Sequence, residues 1–245
     1  MTSTFASPTL PDTASRDTAP PRRDLYAPIH KALRNAMTET LARLGRMAVA
    51  DPADRDEALA RLDELLGMCS EHLRHENEFV HTAIEARRPA GSSRIADEHA
   101  EHLDSIAALR EEAASVAVAA EPHASRLAHR LYRHLALFVA ENFQHMHLEE
   151  TLHNALLWEH YSDAELEALH DRLMASITPA EQLQTARWML PACTPAERAG
   201  MVAAARAQMP PEALLGVLAT VRPHLDGAGW AKLAAAAGVD PACLA

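Results

Sequence analysis

Residues 131–150 read LYRHLALFVAENFQHMHLEE. Leu131, Leu135, Phe138 and Asn142 recur every three or four residues, the spacing that lines one face of an α-helix. The stripe then runs into His145 and Glu149, four apart, before it continues toward Leu152 and Leu156. A face built to enter a core therefore presents an imidazole and a carboxylate one turn from each other. Buried groups of that kind are costly without partners. The rest of the chain has to supply them.

Three more segments of the same type precede this one. The first spans about Asp24 to Met47, with the stripe Tyr26, Ile29, Leu33, Met37, Leu41 and Leu44 and with His30 at its edge. The second spans about Asp54 to Ala86. Its stripe is Leu59, Leu62, Leu65, Leu66, Cys69, Leu73, Val80 and Ile84, and within it EHLRHENEF places His72 and Glu76 four apart. The third spans about Ser93 to Ala120, where His99 and His102 lead into Ile106 and Leu109. The fourth is the opening stretch, extended from Pro122 to His160. Each segment is roughly 35–55 Å long at about 1.5 Å per residue. Short breaks at Asp51-Pro52, Arg87–Gly91 and Glu121-Pro122 separate them. Long amphipathic helices on short connections pack as antiparallel neighbours, so the expected fold is an all-α, up-down four-helix bundle.

In that bundle every helix offers imidazole to the interior, and two add a carboxylate. The candidate set is His30, His72, Glu76, His99, His102, His145 and Glu149. A pair of divalent metal ions satisfies such a set: the carboxylates neutralise and bridge, and neutral imidazoles act as terminal ligands. Mixed nitrogen and oxygen donors suit iron, and manganese suits them as well. A structural zinc site would want four ligands, commonly including cysteine, and fits poorly. His75, Glu78 and His81 lie off the main stripe and are expected at the rim. Glu150, Glu78 and Asn142 are candidates for orienting the ligands. The remaining histidines, 123, 129, 134, 147, 153, 160, 170 and 224, are expected at the rim or in solvent.

His30, then His72-x-x-x-Glu76, a third-helix histidine and His145-x-x-x-Glu149 together resemble the hemerythrin-like, or HHE cation-binding, domain. The resemblance covers roughly residues 25–160. It implies a non-heme di-iron centre in a four-helix bundle, with Glu76 and Glu149 bridging the irons. In oxygen-carrying members the third helix gives two histidines four apart, whereas His99 and His102 are three apart. The function implied is binding, sensing or handling of O2 or a related small oxidant. The alternative is a di-iron oxidoreductase or oxygenase acting on a small substrate, peroxide or nitric oxide. A third reading is an interaction protein that responds to iron occupancy.

The segments outside the bundle read differently. Residues 1–23 are rich in Ser, Thr, Pro and Ala and are expected to be a disordered lead-in. Residues 161–245 carry shorter helices, with capping boxes at Ser162–Glu165, Thr178–Glu181 and Thr194–Glu197. This helical C-terminal module is a candidate to lid the bundle, to form a homodimer or to dock a protein partner. Trp188 and Trp230 are its expected anchors. A net charge of −11 argues against nucleic acid and against a polybasic membrane patch. Three scattered cysteines fit a reducing cytoplasm, and no apolar run approaches the ~20 residues of a membrane span.

Overall fold

A computed structural model describes residues 22–244, and their regular structure is entirely helical. Four long rods follow one another: α1 (Ala27–Gly45); α2 (Pro52–His75), continued through a π turn (Glu76–His81) into α3 (Thr82–Arg87); α4 (Ser93–Val118); and α5 (His123–Leu148), continued through a second π turn (Glu149–His153) into α6 (Asn154–His160). The helix α1 packs on both α2 and α5, and α4 packs on both of them in turn, so the rods close a ring. The expected segments match these rods to within a few residues. The two π turns were not in the expected pattern.

Local chemistry fixes the rod ends. Asp24 Oδ1 accepts from the backbone N–H groups of Tyr26 and Ala27 at 2.8 and 3.0 Å, just ahead of α1. Asp51 caps α2 by accepting from Ala53 N at 3.0 Å, with Pro52 at the first helical position. Between α3 and α4 the chain reverses at Ala90, whose φ is 63°. A Cβ on Gly91 would lie 2.8 Å from both the Arg88 carbonyl oxygen and Ile84 Cγ2, so only glycine fits that turn. Glu85 holds the turn closed, accepting from Ala90 N, Ser92 N and Ser92 Oγ.

The main core fills the ring with Leu33, Met37, Leu62, Leu65, Leu66, Leu109, Leu131, Leu135 and Phe138. Cys69 is buried among them as a free thiol, which burial pushes up to about 12. At one end a smaller apolar group of Tyr26, Val80, Ile84, Leu157 and Leu166 closes the ring. Leu166 belongs to α7 (Asp163–Ser176), so the segment after the rods covers this end.

The remaining helices are α8 (Pro179–Ala192), α9 (Pro195–Gln208), α10 (Pro211–Val221) and α11 (Gly227–Ala237). All three expected capping boxes form, at Ser162, Thr178 and Thr194. Trp230 anchors a core of its own with Val202, Leu214, Leu218, Val221 and Leu233. Trp188 does not join it. It packs into the main core, while its indole N–H donates to Glu64 on α2 at 3.1 Å. The helix α8 lies along α1, and Lys31 pairs with Glu197 at 2.6 Å. The C-terminal helices are therefore sewn to the rods rather than strung behind them.

Of the lead-in, residues 1–21 lie outside the described residues. Arg22 and Arg23 are anchored: Arg22 donates to Asp163 and to the Trp158 and Tyr161 carbonyls, and Arg23 pairs with Glu167. Among the described residues, no helix is long and apolar enough to cross a membrane.

Candidate metal centre

Six of the seven expected ligands meet inside the ring. His30 comes from α1, His72 from α2, His99 from α4 and His145 from α5. Glu76 and Glu149 each open one of the two π turns. The donors form two half-sites. In one, His30 Nε2 lies 3.6 Å from Glu76 Oε1 and 3.4 Å from Glu149 Oε2, and His72 Nε2 lies 3.2 Å from Glu76 Oε1. In the other, His99 Nε2 lies 3.6 Å from Glu76 Oε2 and 3.5 Å from Glu149 Oε1, and His145 Nε2 lies 3.3 Å from Glu149 Oε1. Each carboxylate thus gives one oxygen to each half.

These spacings are those of donors around a single ion. With bonds of about 2.1 Å, two ligands on one cation stand about 3.0 Å apart at right angles and about 3.4 Å apart in a tetrahedron. Polar satisfaction points the same way. The Nε2 atoms of His30 and His72 and both oxygens of Glu76 and Glu149 are buried without a hydrogen-bond partner. Native interiors seldom leave such atoms unpaired.

The outer nitrogens, by contrast, are fixed. His30 Nδ1 donates to Glu150 Oε1 at 3.0 Å, and Arg34 clamps that carboxylate through both guanidinium nitrogens at 2.6 and 3.0 Å. His145 Nδ1 donates to Glu98 at 2.9 Å, and Arg94 pairs with the same carboxylate at 3.1 Å. His99 Nδ1 donates to the Asn77 side-chain oxygen at 2.8 Å. A proton on Nδ1 leaves a neutral ring with its lone pair on Nε2. The His99 and His145 Nε2 atoms face each other at 3.0 Å. Two lone pairs at that distance repel, unless a proton or a cation sits between them.

Charge follows this geometry. Burial and the neighbouring Glu149 charge push Glu76 up to about 8. Burial opposes charge on Glu149 as well, but the neighbouring His145 and His99 imidazoles, at 3.3 and 3.5 Å, hold it well below the usual carboxylate range. Burial likewise opposes charge on His30, yet Glu150 and Glu76 raise it to about 9. His72 is driven well below its ordinary value by burial, then by the charge of His30. Four carboxylates face or back the half-sites: Glu76, Glu149, Glu98 and Glu150. Glu98 and Glu150 are paired with Arg94 and Arg34, so the carboxylates left for a cation are Glu76 and Glu149.

The seventh expected ligand stands apart. His102 is buried against the His145 ring, with centroids 4.7 Å apart, and against Phe138, so it flanks His145 instead of joining either half-site. Three residues on a helix turn a side chain through about 300°, and only His99 of the pair points at the glutamates. Among the orienting candidates, Glu150 takes that role. Glu78 instead pairs with Arg74 on the surface, and Asn142 donates to the Phe138 carbonyl. Glu98 and Asn77 do the work expected of those two. His75 faces Glu71 and Glu181 beside α8.

His81 and His153, expected at the rim, are buried at 5% and 1% exposure. For His81, which an ideal α-helix would turn about 140° away from Glu76, the reason is the first π turn. A π turn carries an extra residue, so the inward face slips forward by one. After Glu149 the buried stripe moves to His153 and Leu157, leaving Leu152 exposed and Leu156 only partly covered. The four-residue spacing from Glu149 could have placed His153 inside, whereas no α-helical spacing from Glu76 points to His81. Comparison with protein-family models, with curated proteins and with solved structures returned no match to this chain.

Proposed function

We propose that the chain is a hemerythrin-like di-iron protein, an up-down four-helix bundle that binds or handles O2 or a related small oxidant. The observation that carries the reading is the convergence of unpartnered imidazole nitrogens on two shared carboxylates. His30, His72, Glu76 and Glu149 would hold one cation, and Glu76, His99, His145 and Glu149 the other. Iron is the expected metal, and manganese fits the same donors. Such a pair, when bound and reduced, would supply electrons to a small oxidant.

The residues themselves do the rest. Four protein donors per cation leave room for an exogenous ligand. The centre is walled by side chains no more than 9% exposed, which favours a ligand of two or three atoms over a larger substrate. Glu98, Glu150 and Asn77 hold the imidazoles in their ligating tautomers. One observation favours the oxidoreductase reading as an alternative. Tyr26 is buried beside the centre, its ring centroid 5.2 Å from that of His30, and its phenol is an electron source for an oxidant held there. The free, buried Cys69 and Cys193 are compatible with a reducing compartment such as the cytoplasm.

The test is anaerobic loading with Fe(II), followed by visible spectra as air is admitted and withdrawn. A band that appears and reverses supports binding or sensing. Irreversible oxidation, or turnover with a reductant, supports the enzyme. A chain that takes up no iron contradicts both.

A further inference from the structure

Each π turn begins on a shared glutamate and ends on a histidine: Glu76 to His81 in one, Glu149 to His153 in the other. The turns bring these two histidines together, with ring centroids 5.2 Å apart and nearly perpendicular. The His81 ring also stacks on His99 at 4.7 Å. One ligand atom each from His81, His153 and Glu149 lies within 4.8 Å of the other two. The Nε2 atoms of both histidines are buried and have no hydrogen-bond partner. His153 is oriented from behind, its Nδ1 standing 3.1 Å from the Tyr26 hydroxyl. Tyr26 is itself 1% exposed at the closed end of the ring.

We propose that His81, His153 and Glu149 form a third cation position beside the pair, for a borderline divalent ion such as Fe(II), Co(II) or Zn(II). Two imidazoles and one carboxylate make the facial donor set that such ions accept, with open positions remaining. Nitrogen donors in the majority disfavour Mg(II) and Ca(II). Tyr26 accepts from His153 Nδ1–H and so keeps the Nε2 lone pair aimed inward, the role outer carboxylates play for other ligating histidines.

Charge sets the rank of this position. It adds no carboxylate beyond Glu149, which both half-sites already use, and its ion is repelled by two neighbours. The third ion therefore binds more weakly than the pair and exchanges faster. The position shares Glu149 with the proposed pair but stands on two histidines the pair does not use.

The experiment is equilibrium dialysis of the metal-depleted full chain against rising free Co(II), with bound metal counted per chain. The variants H81Q, H153Q and the double variant are run alongside, and circular dichroism checks their folding. The expected result is two tight ions in every protein and a third, weaker ion in the wild type alone. Y26F, which keeps the ring and loses the hydroxyl, is expected to weaken the third ion by about 10- to 100-fold. Wild-type saturation at two ions overturns the third position and leaves the pair standing. A third ion kept by the double variant overturns it as well. A single ion lost in the double variant but kept in H72A upholds this position and overturns the pair.

Discussion

At the scale of the residue, His145 and Glu149 carry the account. Replacing either by alanine removes a donor from a half-site and, for Glu149, from both. The H145A and E149A chains are expected to lose most bound metal and the thermal stability that metal confers, since binding energy to the folded form is folding energy. Retention of the full metal complement, read by elemental analysis, would place the site elsewhere. Protons compete for the same atoms. Without a cation, His30 stands at about 9 and Glu76 at about 8, so both hold a proton at pH 7 that an incoming ion displaces. Affinity therefore falls as pH drops below 8, by up to about a hundredfold per pH unit for two released protons. Proton release on metal addition in weak buffer, with the affinity measured at pH 6, 7 and 8, checks the sign. Most of the buried donors of the proposed centre were legible because they continue apolar stripes at four-residue spacing. His102 sits on such a stripe too, but its three-residue offset from His99 turns it onto the His145 ring.

At the scale of the element, capping was easy to read and helix register was not. The pattern Ser/Thr-x-x-Glu is a local signal, and each box closes within its own four residues: Thr178 with Glu181, Thr194 with Glu197. T178A and T194A are each expected to cost about 1 kcal/mol, measured by denaturant unfolding of the full chain. No change in the midpoint would mean that tertiary packing, not capping, holds α8 and α9. The π turns have no local signature of that kind. They follow from the demands of the whole interior, which needs Glu76 and His81 on one face although they are five positions apart. Counted on from Glu149, three residues reach Leu152 and four reach His153, so the α-helical period does not choose between them; the fold buries His153 and exposes Leu152.

At the scale of the whole molecule, Trp188 ties the C-terminal helices to the rods. The indole is 2% exposed, packs in the core of the rods and donates to Glu64. Arg61 lies over the ring, 5.0 Å from its centroid. W188A is expected to cost about 3–5 kcal/mol and to loosen α8 from α1, detected as faster amide exchange along both helices. A cost below 1 kcal/mol would show the two parts to be independent. Sequence alone assigned Trp188 to the C-terminal core, because a tryptophan on a short helix says nothing of which neighbour it enters. The central claim is that Glu76 and Glu149 together bridge two cations. Anomalous diffraction from crystals of the full chain loaded with iron, recorded at the iron edge, tests it most directly. The account predicts two peaks about 3.5–4 Å apart between the two carboxylates, one beside His30 and His72 and the other beside His99 and His145. A single peak there, or peaks only at surface histidines, would contradict it.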